Sequence, residues 1–134
     1  MTLDVTPLQN AVARLREGLA RYHQDVTDIQ IRDGLIQRFA FTYELSHKML
    51  KRFLVETSAS PAAFDEMPFA ELIRSGSERG LLRNGWPAWK TYRDMRSKTS
   101  HAYGEEVALS VVAGIADFLA EAEGLLTRLQ DRLG

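Results

Sequence analysis

Residues 29–56 read IQIRDGLIQRFAFTYELSHKMLKRFLVE, and this stretch decides the fold that we predict. Its apolar residues recur at spacings of three and four, the period of one helix face. The residues that mark this face are Ile36, Phe39, Tyr43, Ser46, Leu50 and Phe53. A second set widens it, namely Leu35, Leu45, Met49 and Leu54. A helix with so broad an apolar surface packs against more than one neighbour, so the stretch indicates a helical bundle.

Local signals bound the helices before and after this one. Thr6 is predicted as the N-cap of a first helix, with Pro7 at its first helical position. Residues 57–67 carry turn-forming residues and no periodicity, so they are predicted to form a loop. Pro68 then opens a short third helix, and Gly80 is placed to end it.

Two more helices complete the chain. The turn signal Asn84-Gly85 precedes Pro87, which begins a fourth helix. Residues 107–133 hold a sustained apolar pattern and predict one long final helix. No segment alternates with a period of two, so we predict no strand. The expected fold is therefore an all-α, antiparallel bundle of about five helices, with residues 1–134 as one domain.

Composition narrows the class of protein. The chain has 134 residues, a net charge of -1 and no cysteine, which excludes disulfides and thiolate metal sites and argues against a general nucleic-acid binder. It has no basic region followed by an apolar run at its start and no membrane-length apolar run, so we expect a cytoplasmic protein. The apolar faces of the second and last helices suggest a homodimer, although they could equally form the core of a monomer.

The charge is distributed unevenly along the chain. Residues 74–98 contain seven bases and two acids, whereas residues 104–134 contain six acids and two bases. A basic strip in a neutral protein is an electrostatic footprint for phosphate, or simply a solvated face.

Residues 89–103 read WKTYRDMRSKTSHAY and hold the candidate site. An arginine such as Arg96 can hold a phosphate through two hydrogen bonds, and a histidine such as His101 can move a proton near neutral pH. Together they suit cleavage of a phosphodiester without a metal ion. The alternative is structural, because an arginine and a histidine at this spacing also cap and cross-link helices.

The spacing of the pair constrains its structure. On a continuous helix, residues five positions apart point about 140° away from each other. Arg96 and His101 can therefore meet only if the helix ends between them or if two chains face each other. Ser97, Thr99 and Ser100 are weak helix formers, so we predict that the helix ends here.

A second pair of residues has the spacing of metal ligands. Glu44 and His47 are three positions apart, as in carboxylate-bridged metal sites. Such sites need a second copy of the motif and further carboxylates, and the sequence has no second copy. We therefore interpret His47 as a packing or hydrogen-bonding residue and predict no metal or cofactor.

Several stretches together resemble a known family. They are residues 31–45, Gly80-Leu81-Leu82, Trp89, and Arg96-x4-His101-x-Tyr103. In this order they are similar to the nucleotidyltransferase substrate-binding proteins of the HEPN superfamily, which includes the HepT-like toxins. The resemblance covers roughly residues 8–129. Members commonly dimerise, and their genes usually lie beside a minimal nucleotidyltransferase.

The resemblance implies a toxin–antitoxin pair. Its toxin is a metal-independent endoribonuclease in which Arg96 positions the scissile phosphate and His101 transfers protons, with single-stranded RNA as substrate. Tyr103 matches the tyrosine to which the partner nucleotidyltransferase transfers AMP, which blocks the toxin. The neighbouring polar residues are supporting phosphate-binding candidates, namely Arg93, Ser97, Lys98 and Ser100.

The sequence departs from the family pattern at two positions. Ser97 stands where the family usually has Asn, and His47 stands where Trp is common. The resemblance also allows a non-catalytic hypothesis, in which the protein is a substrate-binding subunit that binds the partner nucleotidyltransferase and a nucleotide or substrate.

Overall fold

A computed structural model describes residues 3–101 and 104–134, and its regular elements are helices throughout. The α-helices are α1 (Thr6–Gln24), α2 (Ile29–Glu56), α3 (Phe69–Glu78), α4 (Trp86–Lys98), α5 (Glu105–Val112) and α6 (Ile115–Leu133). Two 3-10 helices lie between them, Pro61–Phe64 and Thr99–His101. The expected all-α bundle is confirmed. The predicted loop after α2 contains the first of the two 3-10 helices.

Helix α2 lies at the centre of the bundle because it contacts each of the other five α-helices. The broad apolar face predicted from its sequence is buried from Leu35 to Leu54, except for Leu45, which is half-buried. A cluster of rings fills the space between α2, α4 and α6. Phe39 meets Phe118 edge to face at 5.0 Å between ring centroids, and Trp89 is fully buried beside them. This packing fixes α4, which carries the candidate site, against α2.

Helix α2 begins at Ile29, and the predicted end of α3 at Gly80 is confirmed. The carboxylate of Asp28 accepts a hydrogen bond from the Ile31 N–H at 3.1 Å and caps α2. Gly80 has φ 72° and ends α3, where the N–H of Leu81 donates to the Gly76 carbonyl at 3.0 Å. Gly80 is favoured here because a side chain would strain this left-handed backbone conformation.

The start of the first helix differs from the prediction by one residue. Helix α1 begins at Thr6, with Val5 rather than Thr6 in the N-cap position. The capping interaction instead comes from upstream, because the carboxylate of Asp4 accepts a hydrogen bond from the Thr6 N–H at 2.9 Å. An aspartate two residues before a helix N–H supplies the same acceptor as a threonine N-cap.

The predicted long final helix is interrupted between Val112 and Ile115, which divides it into α5 and α6. Met95 of α4 packs against the break, and a Cβ at Gly114 would lie 2.6 Å from the Met95 sulfur. The end of the Met95 side chain would have to move to admit a side chain at this position, so the close approach favours glycine. The apolar pattern continues through the break, which is why periodicity alone predicted one helix. Among the described residues, no helix is both long and apolar enough to cross a membrane.

Candidate functional site

Helix α4 ends at Lys98, between the arginine and the histidine of the sequence motif. The Thr99 hydroxyl donates to the carbonyl of Arg96 at 2.6 Å, and residues Thr99–His101 continue as a tighter 3-10 helix. A side-chain hydroxyl that bonds the backbone competes with helix continuation, as expected for threonine near a helix end. The predicted helix end is confirmed.

The guanidinium of Arg96 is held on two sides. Its Nε–H donates to Oε1 of Glu44 at 2.9 Å, and its Nη1 donates to Oγ1 of Thr99 at 2.9 Å. The Arg96 side chain is 33% exposed, so it remains accessible to a ligand. Within the described part of the chain, Nη2 has no hydrogen-bond partner. The end of the guanidinium, with Nη2 and the second N–H of Nη1, is therefore available to bind an anion.

Arg96 lines a groove of about 420 Å³ between α2 and the end of α4, which we call the Arg96 groove. The other residues that line it are Asp33, Ile36, Gln37, Ala40, Thr99 and Ser100. Five of the seven described lining residues are polar, and the charged ones among them are Arg96 and Asp33. Arg96 is the lining residue whose charge suits a small anion such as a phosphate group.

His101 lies at the end of the second 3-10 helix and is exposed. No hydrogen bond joins it to Arg96 among residues 3–101 and 104–134, and it does not line the Arg96 groove. The structure thus brings both residues to the same end of α4 without a hydrogen bond between them. Tyr103, the predicted modification site, lies outside the described residues.

The four supporting candidates lie in different surroundings. Ser100 lines the Arg96 groove, whereas Ser97 and Lys98 are exposed beyond it. Arg93 points elsewhere, because its guanidinium carbon lies 5.7 Å from the centre of the Phe69 ring. This distance is within the range of a cation–π contact.

Glu44 and His47 contact different partners. Glu44 binds Arg96, while the His47 ring packs edge to face on Phe69 with 4.7 Å between centroids. Burial lowers the pKa of His47 from its ordinary value of 6.5. In the described ranges, no group of three or more His, Cys, Asp or Glu residues is placed to hold a metal ion.

Two buried charged residues were not singled out from the sequence. Arg32 is 6% exposed, and its Nη1 lies 3.9 Å from Oε1 of Glu105 in α5. Glu121 is fully buried and accepts hydrogen bonds from the N–H groups of Arg83 at 2.8 Å and Asn84 at 3.0 Å. Both lie at helical spacing from buried apolar residues. A charge on an apolar face is therefore the signal that would have revealed them.

A curated protein and a solved structure, both from Haemophilus influenzae, are similar to this chain. The curated protein, named probable ribonuclease HepT, is 41% identical over 99 residues, which are 74% of this chain and 67% of that protein. The solved structure is described as the fold of a substrate-binding domain of a nucleotidyltransferase. Its TM-score is 0.89 at 32% identity, over 95% of this chain and 99% of that chain.

A family model described as nucleotidyltransferase substrate binding protein like matches residues 3–131. The match includes all six α-helices apart from the last residues of α6. It also includes both residues of the motif and the groove beside them. On this match, supported by the fold of the solved relative, the chain belongs to the nucleotidyltransferase substrate-binding-protein-like family.

Proposed function

We propose that this protein is a HEPN-type toxin, a metal-independent endoribonuclease that cleaves single-stranded RNA with Arg96 and His101. The observation that carries the proposal is the way in which the guanidinium of Arg96 is held. Two hydrogen bonds hold its guanidinium at the rim of a groove, with one end left to bind a phosphate. The name of the Haemophilus relative, probable ribonuclease HepT, supports the same class of reaction.

In the proposed reaction, the ribose 2′-hydroxyl is the nucleophile. His101 takes its proton as the 2′-oxygen attacks the adjacent phosphorus, and the bond from phosphorus to the 5′-oxygen breaks. The leaving 5′-oxygen receives a proton from an imidazolium, which leaves a 2′,3′-cyclic phosphate and a 5′-hydroxyl. Arg96 binds the phosphate oxygens and stabilises the charge that grows on them. RNA rather than DNA is the substrate because only RNA has the 2′-hydroxyl.

A homodimer would complete this site. Arg96 and His101 lie at the same end of α4 but are not hydrogen-bonded to each other within one chain. A second copy placed across this end would set the histidine of one protomer opposite the arginine of the other. We therefore expect the active form to be a dimer, with a mass in solution twice that of the chain.

The proposed partner is a minimal nucleotidyltransferase that acts as the antitoxin. It would transfer AMP to the hydroxyl of Tyr103, two residues after His101. The adduct would add a negative phosphate beside the site and repel the RNA backbone. Mass spectrometry of the protein expressed with this partner should then find one AMP on Tyr103 and none on a Tyr103→Phe variant.

The test of the main proposal is cleavage of single-stranded RNA by the purified protein in EDTA. We expect cyclic phosphate ends from the wild type and a loss of at least about a hundredfold in His101→Ala and Arg96→Ala. Arg21→Ala is the matched control, since Arg21 is an exposed arginine on α1, outside the basic strip of residues 74–98. No cleavage above the variants, with folded protein that carries no AMP on Tyr103, would contradict the ribonuclease proposal.

The second candidate is a non-catalytic subunit that binds the nucleotidyltransferase and a nucleotide or substrate. The contact between Arg96 and Glu44 favours it, because this ion pair already satisfies part of the arginine charge. The solved relative is described in the same terms, as a substrate-binding domain of a nucleotidyltransferase. A stable complex with the partner, together with no cleavage by the isolated protein, would support this candidate instead.

A further inference from the structure

A second groove of about 660 Å³ runs along the outer face of α2, and we call it the α2 groove. It is lined by Phe41, Glu44, Leu45, His47, Lys48, Lys51, Arg52, Val55 and Glu56. Three of these residues are cations, and two are acids. Phe41 lies at one end and is 61% exposed, which is unusual for a large apolar side chain.

Glu44 links the α2 groove to the Arg96 groove. Glu44 lines the α2 groove and also accepts the hydrogen bond from Arg96. Both grooves use the same helix, since residues between 33 and 40 of α2 line the Arg96 groove and residues between 41 and 56 line the α2 groove. From Glu44 to Arg52 the helix rises about 12 Å. This is roughly the length of three to four stacked nucleotides.

We propose that the α2 groove binds the segment of single-stranded RNA that flanks the scissile phosphate, with Lys48, Lys51 and Arg52 on its phosphates and Phe41 stacked on a base. The proposal rests on the ribonuclease function proposed above and extends it to the path of the substrate. A basic track with an exposed aromatic ring is how proteins bind single strands without reading their sequence.

The charges favour RNA over a second copy of the chain as occupant. Glu44 is already paired with Arg96, so the three cations of the groove face only one other acid, Glu56. In a two-fold contact the same patch meets itself, and the cations would approach their own copies. A phosphate backbone instead supplies the opposite charge along the whole groove.

His47 contributes a different group to the wall of the groove. Its ring is half-buried against Phe69, and burial lowers its pKa below 6.5. The neutral imidazole, which this burial favours, offers one hydrogen-bond donor and one acceptor instead of a charge. A neutral ring beside the three cations suits contact with a base or a ribose hydroxyl.

The first test is binding of uncleavable 2′-O-methyl RNA of two and of eight nucleotides, measured by fluorescence anisotropy. The wild type should bind the longer strand at least about tenfold more tightly, because only that strand reaches the cations. The double variant Lys48→Gln with Arg52→Gln should lose most of this gain. For this variant, the slope of the logarithm of the binding constant against the logarithm of the salt concentration should be smaller in magnitude by roughly 1.4, or about 0.7 for each lost contact. Both residues are exposed, and glutamine is a good helix former, so the fold is retained.

The matched control removes the same charge elsewhere. Arg16→Gln with Arg21→Gln changes two exposed cations on α1 that lie outside the basic strip of residues 74–98 and do not line the groove. This variant should bind both strands as the wild type does. Phe41→Ala should weaken binding of the longer strand by about fivefold or more, and Phe41→Trp should restore it, because stacking needs a ring. Equal losses in the control and groove variants would overturn the proposal.

The outcomes separate this inference from the proposed function. Equal binding of the two strands by the wild type would overturn the groove assignment, whether or not RNA is cleaved. Length-dependent binding that the groove variant loses, without cleavage of an ordinary RNA strand, would support the groove and overturn the ribonuclease. A groove variant that binds the longer strand normally but changes from dimer to monomer in sedimentation would show that a second copy covers this face.

Discussion

Arg96 donates its Nε–H to Oε1 of Glu44 at 2.9 Å, and this contact joins the end of α4 to the middle of α2. The two residues are 52 positions apart in the chain. Together with Thr99, which accepts from Nη1, Glu44 fixes two sides of the guanidinium plane. An arginine held in this way loses less side-chain entropy when it binds a phosphate, and the free end of its guanidinium points in a defined direction.

Removal of the Glu44 carboxylate should slow cleavage more than it destabilises the fold. We expect Glu44→Ala to reduce the single-turnover rate of RNA cleavage by roughly tenfold, because Arg96 then samples other orientations. The free energy of unfolding should change by less than about 1 kcal/mol, since the Glu44 side chain is 56% exposed. Glu44→Gln keeps an acceptor for the Nε–H and should retain most of the rate. Rates from quenched-flow or gel assays and urea denaturation measure the two effects.

A cleavage rate that rises in Glu44→Ala would assign Glu44 a different role. If Glu44→Ala cleaves RNA faster than the wild type, the carboxylate competes with the substrate phosphate for Arg96 instead of positioning it. Glu71→Ala is the control, because Glu71 is an exposed acid in the first turn of α3. Its cleavage rate should equal that of the wild type in either case.

The features that the sequence predicted well are those set by interactions between residues that lie close together in the chain. The apolar spacing of α2 and the glycine at position 80 both act within one or two helical turns. The end of α4 belongs to the same class, since the Thr99 side chain bonds the carbonyl of Arg96 three residues earlier. Local rules apply because both partners of each interaction lie in the same short stretch.

The features that sequence missed depend on contacts between distant residues. The break between α5 and α6 is visible only once Met95 is known to pack on Gly114. The Arg96–Glu44 contact crosses from α4 to α2, and the fully buried Glu121 binds backbone groups 37 and 38 residues away. No spacing rule within one helix reports such pairs. The catalytic roles of Arg96 and His101 and the modification of Tyr103 stay predictions.

Loss of the Glu121 carboxylate should strongly destabilise the protein. Glu121→Ala leaves the N–H groups of Arg83 and Asn84 without their acceptors between α3 and α4. An unsatisfied donor costs about 1–3 kcal/mol when it is fully buried, and these two donors are partly buried, so we expect a loss of about 2–4 kcal/mol in the free energy of unfolding. Urea denaturation followed by circular dichroism measures this loss.

A surface glutamate on the same helix is the control for Glu121. Glu123 forms an ion pair with Arg16 at 2.7 Å, but its side chain is 41% exposed. Glu123→Ala should therefore cost less than about 1 kcal/mol. Equal costs for the two variants would mean that water replaces the Glu121 carboxylate, and that the turn before α4 does not depend on this residue.

The stability of the fold should fall in weakly acidic solution because of His47. Burial against Phe69 lowers the pKa of His47 below 6.5, so the folded protein binds this proton more weakly than the unfolded chain does. Above 6.5 both states are neutral, and the contribution of His47 is fully present. As the pH falls through 6.5 toward the lower pKa of the folded state, the unfolded chain gains protons first and stability is lost.

The measurement is the free energy of unfolding of the wild type and of His47→Gln at pH 7.5, 6.5 and 5.5, pH values chosen around the ordinary pKa of 6.5. Other titrating groups contribute to both proteins, so their difference isolates His47. We expect the wild type to lose stability relative to His47→Gln as the pH decreases, because glutamine has no proton to gain. A difference that stays constant over this range would mean that His47 is as easily protonated in the fold as in the unfolded chain. The imidazole would then be solvated at the wall of the α2 groove, and its neutral role beside the three cations would be lost.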